Sequence, residues 1–283
     1  MKRAVLVTAA DMPKPDLESH LLVAALENLG ITARIVAWNA PFDWSAADLV
    51  VIRTTWDYHR RLDEFISWVD SVEAVTCLAN PASVIRWNAH KSYMVELAAC
   101  GVPTIPTRVA TKGTRIENLA ELFPETTDIV IKPAVSIGAV GALRGHVDDP
   151  TVAEHLQWLL AGEDVLIQPF MPAVIDTGEV SLLFAGNELS HAVSKHPAPG
   201  DYRVQDHHGG TVHPHQPTDA EIAVASAAIS QAPATCAYAR VDLVSGDSGP
   251  VVMELELIEP ALFLAADQGA PNRFARALSA CST

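Results

Sequence analysis

Near the C-terminal end of the chain two strongly apolar runs, Ala-Arg-Val-Asp-Leu-Val at 239–244 and Pro-Val-Val-Met-Glu-Leu-Glu-Leu-Ile-Glu at 250–259, flank Gly246, Asp247, Ser248 and Gly249. β-rich runs separated by a Gly/Asp/Ser turn signal an antiparallel hairpin, so this region has to fold as sheet. With the turn taken as the loop 247–249, Asp242 falls opposite Glu254. Side chains alternate between strand faces and directly opposed residues share a face, so Asp242, Glu254 and Glu256 converge. Like charges that close destabilise a sheet unless something neutralises them, and hard oxygen donors suit Mg²⁺. A solvated acidic face, with Glu259 as one more charge, is the equal alternative from spacing alone.

The chain has 283 residues, 49% of them hydrophobic, enough to bury sizeable cores in two or three lobes. A net charge of -15, from 34 acidic against 19 basic residues, argues against a nucleic-acid-backbone binder, which needs clustered Lys and Arg. An anionic ligand must then be held locally, by a few placed cations or by metal. Cys77, Cys100, Cys236 and Cys281 have neither CxxC nor Cys/His ligand spacing, which argues against structural zinc and a disulfide framework and fits a reducing cytoplasm. The first ten residues read as a buried strand rather than a signal peptide, and no run approaches the roughly 18 apolar residues of a membrane helix. A soluble protein without membrane partners is expected.

Strands are expected at 4–7, 33–38 and 48–52, with an amphipathic helix at 17–29 stopped by Gly30. This makes a small α/β lobe over about 1–88. Its third strand runs directly into Arg53-Thr-Thr-Trp-Asp-Tyr58, placing polar and aromatic groups where open α/β sheets bind ligands. A helix at 88–99 then leads into a second lobe, 89–165, with a strand at 129–132, a Ser/Gly-rich turn at 136–141, a helix near 152–160 and a strand at 165–168. The remainder, 166–283, alternates like antiparallel sheet through 180–184, 188–193, 239–244 and 251–258.

The strand Ile-Val-Ile-Lys-Pro at 129–133 ends in Lys132 and is followed closely by Ser-Ile-Gly-Ala-Val-Gly at 136–141. Glycine lets backbone amides approach phosphates, and lysine supplies a compact charge. Taken alone, the glycine pair is more often an ordinary turn. It is neither a P-loop nor a dinucleotide fingerprint.

Taken in order, the pieces resemble the ATP-grasp superfamily, in its glutathione-synthetase-like and ribosomal-protein-glutamate-ligase-like branch. The resemblance spans about residues 88–265: Asn88-Ala-His-Lys91, Gly101-Val-Pro-Thr-Ile-Pro-Thr107, Lys132-Pro133, the 136–141 loop, Val165-Leu-Ile-Gln-Pro-Phe170, Gly178-Glu179, Gly200-Asp-Tyr-Arg203 with Gly209-Gly210, Asp242, and Glu254-Leu-Glu256. It implies an α/β (α+β) ATP-grasp fold, in which an N-terminal open α/β lobe precedes two lobes that sandwich ATP. It also implies ATP and Mg²⁺ as cofactors, with Asp242, Glu254 and Glu256 on the metal. Lys91 and Lys132 then lie on the phosphates under a loop that includes Ser136 and Gly138. Gln168, Pro169, Phe170 and Met171 resemble the hinge that reads adenine, and Glu179 the group on the ribose hydroxyls. Lys195 and Arg203 match catalytic basic positions near the phosphates and the reacting carboxylate, Arg203 facing the oxyanion. Ser181 stands where a basic residue is common, which weakens any transfer of substrate specificity, and Glu256 stands where this branch usually has Asn, which leaves metal binding intact but adds negative charge to the site.

The chemistry implied is attack of a substrate carboxylate on the γ-phosphate, giving an acyl phosphate that an amine captures with release of phosphate. It asks for positioning and charge neutralisation rather than a covalent nucleophile. Arg53 and Asp57 suit the carboxylate and ammonium of a small amino-acid-like substrate, with Trp56 and Tyr58 beside them; a structural turn capped by an aromatic is the alternative. His196, His207, His208, His213 and His215 could bind metal or carry a proton, though scattered loop histidines more often do neither. In length and branch the chain is similar to cyclo-ligases that close D-cycloserine from O-ureido-D-serine. A ligase joining two amino acids or extending a peptide, an ATP-grasp kinase and a regulatory ATP-binding module remain as alternatives. Related ligases suggest a homo-oligomer.

Overall fold

The computed structural model describes residues 2–12, 16–205 and 208–281. The first lobe runs β1 (Arg3–Thr8), α1 (Leu17–Asn28), β2 (Thr32–Ala37), β3 (Leu49–Thr54), α2 (Leu62–Glu73) and β4 (Cys77–Ala79). Its strands form a parallel sheet in the order β2-β1-β3-β4. All six residues of β3 are buried, which explains why the run Leu-Val-Val-Ile shows no polar alternation. Asp16 caps α1 by accepting from Ser19 N at 2.9 Å, and Gly30 ends the turn beyond it with φ 75°.

The connection to the next lobe differs from the single helix expected at 88–99. Two helices stand there, α3 (Ala82–Ala89) and α4 (Tyr93–Ala99). Between them His90 is extended, and Lys91 donates its backbone N–H to Ala134 O at 2.8 Å instead of to a helical carbonyl. That bond draws Lys91 out of the helix and toward the 136–141 loop.

The central lobe contains β5 (Arg108–Ala110), β6 (Asp128–Pro133), β7 (Leu143–His146), α5 (Pro150–Leu160) and β8 (Val165–Pro169), its antiparallel sheet ordered β5-β8-β6-β7. A division drawn along the sheets therefore falls after Pro169 rather than at 165. The C-terminal lobe follows with α6 (Ala173–Asp176), β9 (Glu179–Ala185), β10 (Glu188–His196), β11 (Thr211–His215), α7 (Asp219–Ile229), β12 (Tyr238–Gly246), β13 (Gly249–Glu256) and α8 (Ala270–Cys281). Its five strands pair antiparallel in the order β11-β10-β9-β12-β13.

The last helix returns to the first lobe. Phe274 and Leu278 of α8 share a buried core with Leu22 and Leu26 of α1, each such side chain contributing about 1.5–3 kcal/mol over exposure. A polar clasp reinforces this. Asn80, fully buried, donates Nδ2 to Tyr238 O (2.9 Å) and Leu257 O (2.7 Å) and accepts from Ala237 N (2.6 Å). The Tyr238 hydroxyl lies within 3.1 Å of the carbonyls of Ile52, Ala79 and Ile258. The ends of β3 and β13 are thereby locked together. Among the described residues no helix is long and apolar enough to cross a membrane.

Candidate active site

The β12–β13 hairpin brings the three expected carboxylates together, by a route other than the one read from spacing. The turn is the two-residue Asp247-Ser248, between paired Gly246 and Gly249. In an unbroken ladder Asp242 would then oppose Met253 and face away from Glu254. A register shift between Leu243 and Asp242 inserts Met253 as an extra residue, so that Asp242 pairs with Glu254 and Arg240 with Glu256. One oxygen from each of Asp242, Glu254 and Glu256 then lies within 4.8 Å of the others.

These carboxylates are already partly neutralised. Arg240, two residues before Asp242 and on the same face, bonds both Asp242 oxygens at 3.0–3.3 Å and also Glu256. Lys195 Nζ is 3.2 Å from Asp242 Oδ2 and pairs with Glu179, its cross-strand neighbour. Ser181 donates to Asp242 Oδ1 at 2.5 Å. Lys91 Nζ is 3.2 Å from Glu254 Oε1 and also reaches Ser136 O. Asp242, Glu254, Glu256 and Glu179 therefore face Arg240, Lys195, Lys91 and the nearby Lys132.

Burial and charge sort the protonation states. Burial alone would raise the Asp242 carboxyl, but Arg240 and Lys195 hold it well below the usual carboxylate range. The same opposition, with Lys91 and Lys132 as the cations, lowers Glu254. Burial wins at Glu256 and Glu179, both pushed up to about 7, and at Glu259, pushed up to about 8 by burial and then by the Glu256 charge. Lys132 is lowered by burial despite Glu254. A half-buried cation whose desolvation outweighs the nearby carboxylates suits a polyanion. Mg²⁺ holds oxygen ligands at about 2.1 Å, so a spread of 4.8 Å needs only small carboxylate rotations, and the hard-oxygen donor set fits the ion.

The other expected site residues divide. Ser136 is buried with its hydroxyl on Pro133 O, and the exposed Gly138 follows it in the left-handed region at φ 55°. Gln168 and Pro169 lie in β8 against β6, and Gln168 Nε2 donates to Thr107 Oγ1 at 2.8 Å. Phe170 is buried beneath the Arg144 guanidinium, which stands 3.5 Å from its ring centroid, and Met171 is half-buried beside Val244 and Val204. Two expectations shift. Glu179 is buried and engaged by Lys195 rather than presented for a ribose, because β9 and β10 pair these two positions directly. Arg203 pairs with Asp201 at 2.7 Å on its own loop; the guanidinium at the carboxylate cluster is Arg240.

On the first lobe, Asp57 is engaged by Trp38 Nε1 (2.9 Å) and Arg61 (2.6 Å), which leaves it structural rather than free for an ammonium. The Tyr58 ring packs on Phe65, while burial and then Glu259, Glu256 and Glu254 raise its hydroxyl well above the normal range, placing it beside the acidic cluster. Trp56 Nε1 reaches Glu259 O at 3.4 Å. Arg53 is 1% exposed; its Nη2 lies 3.4 Å from Glu18, and among the described residues its Nε and Nη1 have no hydrogen-bond partner. Buried donors left unpaired are costly, which marks this guanidinium for an anionic group. Of the histidines, His196 and His213 meet ring to ring at 6.1 Å and His215 pairs with Glu221 at 3.1 Å; no metal cluster of these histidines occurs among the described residues, and His207 lies outside them. Reading missed Arg240 and Glu259, although the two-residue period that grouped Asp242 with Glu254 also places Arg240 on that face.

Comparison with known proteins gives two family matches. Residues 4–80 match the model for the N-terminal domain of D-cycloserine synthetase DcsG, and residues 93–246 match the ATP-grasp domain of prokaryotic glutathione synthetase. The cycloserine biosynthesis protein DcsG of Streptomyces lavendulae is 34% identical over 97% of each chain. A glutathione synthetase of Ralstonia nicotianae is 28% identical over 47% of this chain and 40% of its own. The crystal structure of D-cycloserine synthetase DcsG superposes with a TM-score of 0.91 at 31% identity, covering 99% of this chain and all of that one. A D-alanine–D-alanine ligase from Bacillus anthracis shares the fold, with a TM-score of 0.76 at 16% identity.

Proposed function

We propose, because this chain belongs to the ATP-grasp ligases and within them to the family of DcsG, that it closes D-cycloserine from O-ureido-D-serine. That it is an ATP-dependent ligase forming C–N bonds follows from the family. The substrate rests on one observation above all. The glutathione synthetase relative matches only about half of the chain, whereas the similarity to DcsG runs through the first lobe, where an amino-acid substrate would be selected.

In this reading Lys91 and Lys132 bind the ATP phosphates under the 136–141 loop, and the segment 168–171 takes the adenine. Asp242, Glu254 and Glu256 hold Mg²⁺, which when bound would neutralise charge on the transferring phosphoryl group. The unpaired donors of Arg53 support a role in orienting an anionic group of the amino acid. O-ureido-D-serine has a single carboxylate, which attacks the γ-phosphate, so Arg53 orients that group before transfer. Arg240, next to the cluster, stabilises the oxyanion as the ring nitrogen displaces phosphate. Substrate and product differ by carbamic acid, so the carbamoyl group is lost as carbon dioxide and ammonia while ATP and water yield ADP and phosphate. The four cysteines are unpaired, which supports a reducing cytoplasm.

The test is incubation of the purified protein with ATP, Mg²⁺ and O-ureido-D-serine, following ADP, phosphate and ammonia together with product mass. Equimolar ADP, phosphate, ammonia and D-cycloserine are expected. A stable phosphorylated product without free phosphate would contradict the ligase assignment. Turnover only when a second amino acid is added would replace ring closure with intermolecular ligation.

A further inference from the structure

We infer that His155, on α5, is the positioning residue that holds the 136–141 loop in its phosphate-binding shape. The inference rests on reading that loop as the one that closes over ATP.

Both ends of the loop are pinned. At the entrance Lys91 Nζ donates to Ser136 O, and Ser136 Oγ donates to Pro133 O at 3.1 Å. At the exit His155 Nε2 lies 2.8 Å from Gly141 O. A carbonyl only accepts, so this contact requires the proton on Nε2, which both the neutral Nε2–H tautomer and the imidazolium carry. Between the pins, Val140 N bonds Ile137 O (3.0 Å) and Ala142 N bonds Ala139 O (3.1 Å). Gly138, Ala139 and Gly141 all have left-handed backbone, at φ 55°, 64° and 75°. Alanine disfavours that region, so the folded-over shape needs holding from outside. Gly141 also packs so tightly that a Cβ there would stand 2.8 Å from Pro133 Cγ.

His155 is not a core residue. α5 is anchored to its lobe by Val152, Leu156, Leu159 and Leu160, all buried in one cluster. Off that face the His155 ring stacks on Trp158 at 5.7 Å and 29°, and Trp158 is 69% exposed. The stack orients the imidazole, and the imidazole holds the loop. Removing it takes one hydrogen bond from the closed loop and leaves the lobe's packing intact. The cost then appears as a smaller fraction of molecules competent for ATP, which raises the apparent dissociation constant.

Three variants test this in the full-length protein. His155→Phe keeps the stack without the donor, His155→Ala removes both, and His155→Gln places an amide Nε2 near the imidazole Nε2. The KM for ATP is expected to rise about five- to tenfold in the Phe and Ala variants, the effect of losing one hydrogen bond, with kcat at saturating ATP within about twofold. His155→Gln should return the KM to within about twofold of the parent. Proteinase K nicking within 137–141, mapped by mass spectrometry, is expected to be suppressed by ATP in the parent and to need more ATP for suppression in the Phe and Ala variants. An unchanged KM in those two, with a loop that ATP still protects in the parent, overturns the role of His155. So does a Gln variant as impaired as the Phe variant. A parent loop that ATP fails to protect overturns the phosphate-loop reading, and the inference with it.

Discussion

Replacing Arg240 with alanine removes the guanidinium that bridges Asp242 and Glu256 from a position 11% exposed. What remains is Asp242, 2% exposed, beside Glu254 and Glu256 with oxygens within 4.8 Å, while Lys195 and Lys91 stay on their present partners. Breaking a buried ion pair by removing one partner costs about 3–5 kcal/mol. Unfolding entropy near 2.1 cal/mol/K per residue, over 283 residues, amounts to roughly 0.6 kcal/mol/K, so Tm should fall by about 5–8 °C. If the cluster holds Mg²⁺ as proposed, the ion would bind the variant without having to displace Arg240. At a hundredfold excess over Kd it returns about 2.7 kcal/mol, or roughly 4–5 °C. The assay is thermal unfolding of parent and variant in EDTA and across a Mg²⁺ titration. A variant within about 2 °C of the parent in EDTA, or one whose Tm rises with Mg²⁺ no more than the parent's, refutes the argument that this arginine and the metal share the same carboxylates.

Asn80→Ala strands Ala237 N–H and the carbonyls of Tyr238 and Leu257 in a fully buried site; a loss of about 3–5 kcal/mol is expected in chemical denaturation, and a loss below about 1 kcal/mol would show that the clasp is dispensable. Glu259, raised to about 8 from an ordinary value of 4.5, binds a proton in the folded state that the unfolded chain has released, so stability in EDTA should fall as pH rises between those values, by at most about 1.4 kcal/mol per pH unit for that proton. Glu259→Gln should flatten the upper part of that window, and an unchanged pH profile by thermal unfolding would contradict it. Arg53→Lys keeps the charge but loses the fork, so it should raise KM for the amino-acid substrate by about tenfold or more while leaving KM for ATP within about twofold; equal effects on both would remove Arg53 from the substrate site.

How much of the site was legible depends on the range of the interaction that builds it. The convergence of Asp242, Glu254 and Glu256 was readable because strand alternation is a local, two-residue rule, even though the turn is shorter than expected and the Met253 insertion restores the register. Arg240 was equally readable by that rule. Glu179 and Arg203 were placed by resemblance to a pattern, which says nothing of the neighbours that engage them. The break at 90–92 was hidden because nothing in Ala-His-Lys-Ser interrupts a helix; a backbone bond to Ala134 does.

By itself the sequence determined the order of its main elements and the carboxylates that share one face of the last hairpin, because periodicity and turn chemistry act within a few residues; the lysines took their expected place on a nucleotide only from the resemblance. Only the tertiary structure decided which cation meets which carboxylate. Lys195 and Ser181 reach Asp242 because β9 inserts between β10 and β12, and Lys91 reaches Glu254 because its helix is broken toward the central lobe. Those pairings join residues scores of positions apart, and only the packed fold brings them within hydrogen-bonding distance.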